Sequence, residues 1–338
     1  MFYEVPQPSL KSIIYNFLLP KRQALDFAVK PGYFVIPASS GKAAMHLVLE
    51  WLRYSGRLTS RTEEILVPQW LGAWVYKTMH AHAFPNSVLT PRTKVIWVYH
   101  QYGFPQDMGA ILKTARQRNL IVIEDCAHAI ESSYQGSRVG TIGDYGIFSF
   151  SKFLPSLMGG AIVTQDQEAR GYFLDRLRVL RKLYGLFCFW SKYFHEASRR
   201  SPLAEELLKT SYALYGYHTA MTRTVQNLIA GGLDTLKRRQ ENYSIVKRVL
   251  KGDPWIDSLP EDALPYVVPI RAALDKLSRL VQVIRDSRIY SGIYHFDEHR
   301  NLLNPGFVKV AWLPIHQAIP AKLMEKVSSD IKNILHPS

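Results

Sequence analysis

Residues 120–164 read LIVIEDCAHAIESSYQGSRVGTIGDYGIFSFSKFLPSLMGGAIVT. A short apolar run, Leu120 to Ile123, ends in two carboxylates, Glu124 and Asp125. A turn-rich middle carries Gly136, Gly140 and Gly143, and a second apolar run, Gly146 to Phe150, delivers Ser149 and then Lys152. Gly159 and Gly160 lead into a third run, Ala161 to Thr164. Short apolar runs bounded by glycines read as buried parallel strands. In open α/β sheets ligands sit at the carboxyl ends of such strands. The stretch therefore predicts that an acid, a serine and a lysine reach one edge of one sheet.

Upstream, strands alternate with helices. Tyr33 to Ile36 reads as a strand, followed by Pro37-Ala-Ser-Ser-Gly-Lys42 and an amphipathic helix with Ala43, Ala44, Leu47, Val48, Trp51 and Leu52 at helical spacing. Such a turn either presents a helix N-terminus to a phosphate or is an ordinary cap made by Ser39 or Ser40. Glu64 to Val67 and Lys94 to Tyr99 read as further strands, with a helix running through Ala83 between them and another from Asp107 to Gln117. This alternation predicts βαβ units and a parallel sheet. Downstream, Met221 to Leu250 reads as one long connecting helix, weakened only at Gly231-Gly232. Strands at Leu264 to Ile270, Ile289 to Phe296 and Lys309 to Leu313 alternate with helices at Ala273 to Arg285 and Ala321 to Leu335. The expected fold class is α/β: a large domain with a mostly parallel central sheet over residues 1–225, and a smaller α+β C-terminal domain over residues 226–338.

The 338 residues are 47% hydrophobic, enough for a sizeable core. No run is long enough to span a bilayer, and the start lacks a signal-peptide pattern, so a cytoplasmic protein is expected. Cys126 and Cys188 make no disulfide framework. The 42 Lys and Arg against 28 Asp and Glu give a net charge of +14, which favours anionic partners. No basic run is interleaved with aromatics in the manner of a nucleic-acid stripe, so no nucleic-acid partner is expected. The segment Arg176 to Phe194 is basic and aromatic, with Leu183, Leu186, Phe187, Trp190 and Phe194 on one helical stripe and Arg178, Arg181, Lys182 and Lys192 nearby. It reads as a helix packed on protein or, less readily, as a peripheral contact with an anionic membrane.

Taken together, Ser-Ser-Gly-Lys, Asp125, Ser149 and Lys152 suit one cofactor. Pyridoxal phosphate needs a lysine for a Schiff base, a carboxylate for its ring nitrogen, and hydroxyls with a helix N-terminus for its phosphate. A lysine beside an acid is also an ordinary salt bridge, and only the combination argues for the cofactor.

The chain resembles the DegT/DnrJ/StrS sugar aminotransferases, fold type I pyridoxal-phosphate enzymes. The resemblance is carried by VIEDCAHA at Val122 to Ala129, GSRVGTIGDYGIFSF at Gly136 to Phe150, GGAIVT at Gly159 to Thr164 and TPRTKVIWVYHQYGFPQDM at Thr90 to Met108. PASSGKAAMHL at Pro37 to Leu47 and LPIHQAIPAKLMEKV at Leu313 to Val327 extend it more weakly. It implies an aspartate-aminotransferase-like large domain. By resemblance, Asp125 would bind the pyridine nitrogen and His128 the ring-hydroxyl side. Ser149 and the backbone of Gly41, Lys42 and Ala43 would hold the phosphate, and Lys152 would form the Schiff base. The resemblance also implies a homodimer with shared active sites and transfer of an amino group, commonly from glutamate, onto the keto group of a nucleotide-linked sugar.

The chain departs from the family's pattern in four places. The usual lysine lies four residues after FSF, where this chain has Leu154; Ser149-Phe-Ser-Lys152-Phe-Leu-Pro instead matches a shortened loop, which assigns Lys152. Lys42 replaces the usual threonine of the phosphate turn. Gly72 stands where a ring-stacking aromatic is expected, with Trp70 and Trp74 nearby, and Trp70 is assigned to the role. The G-Y-N-Y-R-M stretch that lends an asparagine to the partner's site becomes Gly216-Tyr-His-Thr-Ala-Met221. Two other functions stay open at this level: a dehydration of a deoxysugar on the same cofactor, for which the family tends to replace the lysine by histidine, and a non-catalytic binding or regulatory relative.

Overall fold

Two sheets organise the chain in the computed structural model, which describes residues 7–20, 31–177, 179–198, 201–214 and 220–336. The first half contains α1 (Leu10–Leu18), β1 (Phe34–Ala38), α2 (Gly41–Tyr54), β2 (Glu64–Leu66), α3 (Ala73–His80), β3 (Phe84–Asn86), β4 (Thr93–Tyr99) and α4 (Met108–Arg118). Next come β5 (Ile121–Asp125), the hairpin β6 (Ser133–Tyr134) and β7 (Ser137–Arg138), β8 (Tyr145–Ser149) and β9 (Gly160–Thr164). Four helices follow: α5 (Gln167–Arg176), α6 (Val179–Ala197), α7 (Pro202–Leu214) and α8 (Arg223–Gly232). The rest is α9 (Leu236–Val249), α10 (Pro254–Asp257), β10 (Val267–Arg271), α11 (Leu274–Asp286), β11 (Ile293–Asp297), β12 (Phe307–Pro314) and α12 (Ala321–Leu335).

The large sheet has seven strands in the order β1-β9-β8-β5-β4-β2-β3. From β8 to β3 every pair is parallel, as the alternation of strands and helices predicts. β9 departs from the expected parallel direction: it runs antiparallel to both β8 and β1. The reason is length. Only residues 150–159 separate β8 from β9, and a parallel return needs a crossover of about a dozen residues or more.

Apolar side chains fill both faces of this sheet. One face is packed with Leu47, Val48, Trp51 and Leu52 of α2 and Phe173 of α5 against Ile36, Ile123, Ile147 and Ile162. The other is covered by Ile13 of α1, Cys188 and Phe189 of α6 and Val225 and Ile229 of α8. A separate cluster over Val98 and Val122 is closed by Met108 and Ile111 of α4. The smaller antiparallel sheet, β10-β12-β11, packs Val268, Ile270 and Leu313 against Tyr243 and Val246 of α9, Leu277 and Leu280 of α11 and Val327 and Ile331 of α12.

The stretch expected as one helix from Met221 to Leu250 is two helices, α8 and α9, joined by a 3-10 turn over Leu233–Thr235. The break falls at the Gly231-Gly232 pair, where backbone entropy most disfavours a continuous helix. Among the described residues, no helix is long and apolar enough to cross a membrane.

Candidate active site

The carboxyl ends of β4, β5 and β8 lie side by side, with Tyr99 opposite Asp125 and Asp125 opposite Ile147 in the register. Successive residues of a strand face opposite ways, and this separates the two neighbouring acids. Glu124 points away from the cavity into a nest of backbone donors. Its carboxylate accepts from the N–H groups of Gly140 at 2.8 Å, Ile142 at 2.7 Å and Gly143 at 2.6 Å, and pairs with His100 at 3.0 Å. It thus ties down the glycine-rich turn before β8. His100, Glu124 and Cys126 stand close enough to suggest a metal cluster, but these backbone bonds already occupy the carboxylate.

Asp125 faces a cavity of about 370 Å³. Its carboxylate accepts from Trp97 Nε1 at 3.2 Å and from the Ala127 N–H at 3.0 Å. Burial pushes its pKa up, opposed by the charge of Lys152 and by those donors. Lys152 closes a 3-10 turn, Phe150–Lys152, that follows β8 directly. Burial holds its amine below the usual value, while the charge of Asp125 works the other way. Leu154, at the family's usual lysine offset, is 1% exposed among Phe150, Phe153 and Leu157.

His128 holds the lysine from behind. Its Nε2 lies 2.9 Å from Lys152 Nζ and its Nδ1 lies 2.6 Å from the Tyr99 hydroxyl. With the lysine amine donating to Nε2, a neutral ring carries its proton on Nδ1, which then donates to Tyr99. Burial, then the charges of Lys152 and Arg239, hold the imidazole well below its usual pKa and keep it neutral. The ring stacks on Tyr266 at 4.3 Å, so a residue preceding the small sheet buttresses the site.

The opposite wall is the N-terminus of α2. Ser40, rather than Ser39, caps it, accepting from the Ala43 N–H at 3.1 Å. The first turn of a helix offers backbone N–H groups and the positive end of the macrodipole. It lies against the sheet so closely that a Cβ on Gly160 would meet Ser40 C at 2.3 Å, and one on Gly41 would meet Ser149 Cβ at 3.0 Å. Two glycines thus let a serine hydroxyl, a helix N-terminus and Lys42 converge, which is the donor set an anionic phosphate requires.

Of the expected residues, Gly41, Lys42, Asp125, Ser149 and Lys152 all line the cavity. Ala43 lies one residue deeper and fully buried, with His128 behind the lysine. Trp70 does not reach the cavity: it is 44% exposed and stacks on His295 at 3.9 Å. Of the two tryptophans near Gly72, the one that lines the cavity is Trp74, one residue into α3, with Lys42 Nζ 4.6 Å from its ring centre. Sequence reasoning missed Tyr99 and Trp97, whose signal is their place at the end of the strand beside Asp125, and Lys192, which enters the cavity from α6. Residues 216–219, His218 among them, lie outside the described residues, as does Arg178; the side chains of Arg181 and Lys182 are likewise outside the description.

The residues present fit pyridoxal phosphate. A buried carboxylate, a half-buried lysine and a cradle for phosphate face one another across a space that a Cβ at Gly41 or Gly160 would disturb.

The fold is that of the aspartate-aminotransferase-like enzymes. An aminotransferase, TlmJ, from Streptoalloteichus hindustanus superposes with a TM-score of 0.68 at 19% identity, covering 99% of each chain. The chain belongs to the DegT/DnrJ/EryC1/StrS aminotransferase family, which it matches over residues 82–298. Among its relatives are GDP-perosamine synthase of Escherichia coli O157:H7, 35% identical over 154 residues, and dTDP-3-amino-3,6-dideoxy-alpha-D-galactopyranose transaminase of Aneurinibacillus thermoaerophilus, 49% identical over 100 residues. The matches take in 40% and 29% of this chain, and the chain spans 41% and 26% of the length of those two relatives.

Proposed function

We propose that the protein is a pyridoxal-phosphate-dependent aminotransferase that moves an amino group, from glutamate, onto the keto carbon of a nucleotide-linked sugar. The observation that carries this reading is the presence of half-buried Lys152 and buried Asp125 in one cavity with the α2 N-terminus as its opposite wall. Family membership and the relatives' names, which specify GDP- and dTDP-linked products, support the sugar. Retention of a lysine at position 152 supports amine transfer over dehydration.

When bound, the cofactor supplies an electron sink for the carbon that loses or gains the amine. The remaining work falls to this chain. Asp125, whose carboxyl pKa is pushed up by burial against the opposing charge of Lys152 and the Ala127 and Trp97 donors, would hold a proton on the ring nitrogen. Ser149, the α2 N-terminus and Lys42 would bind the phosphate. Trp74, at the mouth of α3, takes the place assigned to Trp70 as the aromatic wall. Lys152 would anchor the cofactor and, through its Nζ, take up and return the proton at the substrate carbon. A lysine amine lowered by burial is a better base near neutral pH than an exposed one, and neutral His128 gives it an acceptor from which to be aimed. The proposal includes cytoplasmic placement, a homodimer with shared sites, and division into a cofactor-binding unit of 1–225 and a smaller unit of 226–338.

The test is direct. Protein mixed with pyridoxal phosphate and reduced with borohydride should carry a pyridoxyl group on Lys152 by peptide mass spectrometry, and Lys152→Ala should not. Absence of the adduct from the wild type, or its appearance on another lysine, overturns the assignment. Release of 2-oxoglutarate from glutamate in the presence of a nucleotide-linked keto sugar then scores the reaction.

A further inference from the structure

α6 carries two faces. Leu183, Phe187, Trp190 and Phe194 are exposed, whereas Cys188 and Phe189 are buried. Gly185 shares the inner face, and a Cβ there would stand 2.2 Å from the Ala220 carbonyl oxygen. Ala220 is itself bridged to Ala38 at the end of β1. The helix is therefore clamped against the end of the sheet that carries the site. Seven residues on, at nearly two full turns, Lys192 leaves that same face and enters the cavity that holds Lys152 and Asp125.

Lys192 also borders a second space, about 440 Å³, that shares Ser149, Ser151 and Lys152 with the first and continues towards Arg239 and Trp312. Among the described lining residues of the two spaces, Asp125 is the one carboxylate, against Lys42, Lys152, Lys192 and Arg239. Asp125 is matched by Lys152, and Lys42 stands at the helix N-terminus. Arg239 is turned to protein, donating to the Tyr266 carbonyl at 2.9 Å. Lys192 has neither kind of engagement: among the described residues its ammonium makes no hydrogen bond or ion pair, and its nearest opposing charge acts from Glu196, one turn along the helix. A partly buried cation without a bonded counter-charge in a cavity is costly unless a ligand supplies the anion.

We infer that Lys192 binds the carboxylate of the amino-acid donor at the junction of the two cavities. The inference rests on the aminotransferase reading above. The choice of anion follows from covalent structure. In an amino acid the α-carboxylate is bonded to the same carbon that carries the nitrogen, so it must lie beside the reacting amine; Lys192 borders both spaces that Lys152 borders. In a nucleotide-linked sugar, ring atoms separate the diphosphate from the keto carbon, which places that anion farther from Lys152. Burial lowers the pKa of the Lys192 amine, and an arriving carboxylate would raise it again by favouring the charged form.

The test uses the cofactor-loaded full chain and two unreactive probes, glutarate for the carboxylate and uridine diphosphate for the diphosphate, each titrated by calorimetry. Lys192→Met should weaken glutarate binding by at least about tenfold, the loss of one charged hydrogen bond, and leave uridine diphosphate within about twofold; Lys192→Arg should keep most of the glutarate affinity. Lys192→Gln, similar in length and polar, repeats the measurement should the methionine variant fold poorly. Unchanged glutarate binding in a loaded, folded variant overturns the inference, and so does a selective loss of uridine diphosphate. If the borohydride adduct on Lys152 is missing and glutarate does not bind even the wild type, the aminotransferase reading falls, and this inference with it.

Discussion

Gly160→Ala tests whether the close approach of α2 to the sheet is what makes the phosphate cradle. The added Cβ would sit 2.3 Å from Ser40 C, 2.4 Å from the Gly41 nitrogen and 2.4 Å from the Ser40 oxygen, all backbone atoms that cannot rotate away. Ordinary contact begins near 3.4 Å, so the first turn of α2 has to retreat by about 1 Å from the end of β9, a displacement that can cost on the order of a hundredfold in a positioned site. The same clash costs about 1–3 kcal/mol of folding stability as overpacking. The expected result is a urea midpoint lowered modestly and pyridoxal-phosphate affinity, followed by absorbance titration, weakened by roughly tenfold to a hundredfold. Gly171→Ala is the control: it lies inside α5 with no atom within 4 Å of the new Cβ, and should leave cofactor affinity unchanged while stabilising the helix by up to about 1 kcal/mol. If Gly160→Ala binds the cofactor as tightly as the wild type, the cradle is not formed by this approach and the phosphate is held elsewhere.

Glu124→Gln replaces a carboxylate that accepts three backbone N–H bonds by a group that must turn an NH2 towards one set of those donors. The expected loss is about 3 kcal/mol or more, read as a lower urea midpoint at unchanged slope, and a loss under 1 kcal/mol (a value of about zero to one being typical of exposed groups) would show that the nest is solvated. His128 contributes to stability against pH through an imidazole held well below its usual 6.5 in the fold by burial, Lys152 and Arg239. Below pH 6.5 the unfolded chain takes up a proton there that the folded chain does not, so stability falls as pH drops from 6.5 towards the folded pKa. His128→Gln should remove that part of the slope, at most about 1.4 kcal/mol per pH unit; equal slopes for wild type and variant between pH 7 and pH 5.5 would mean that the ring protonates freely in the fold.

Much of the site is legible in the chain itself because it is carried by short-range pattern. Asp125 follows a run of strand-forming residues and Lys152 follows another, so once both runs are strands of one sheet their ends must be neighbours. The two-residue period also settles that adjacent Glu124 and Asp125 face opposite ways, although not which of them meets the cavity. The direction of β9 was not legible from composition, since an apolar run looks the same in either sense; the short connection over residues 150–159 decides it. On the sequence the stacking role is assigned to Trp70, with Trp74 nearby. Where α3 begins decides between them: Trp74 lies inside the helix that faces the cavity, while Trp70 lies before it and turns to His295.

The sequence by itself determined the layered α/β class, the order of its main strands, the family resemblance and the set of groups suited to pyridoxal phosphate. These depend on hydrophobic period, turn residues and local motifs, which act between neighbours along the chain. Only the tertiary structure decided that Glu124 ties down a loop while Asp125 meets the cavity, that His128 is backed by Tyr266, and that a lysine from the basic, aromatic helix comes inside. Lys192 reaches the cavity because Gly185 lets α6 press onto the Ala220 backbone. That approach joins residues far apart in sequence, and no period or motif along the chain encodes the distance between them.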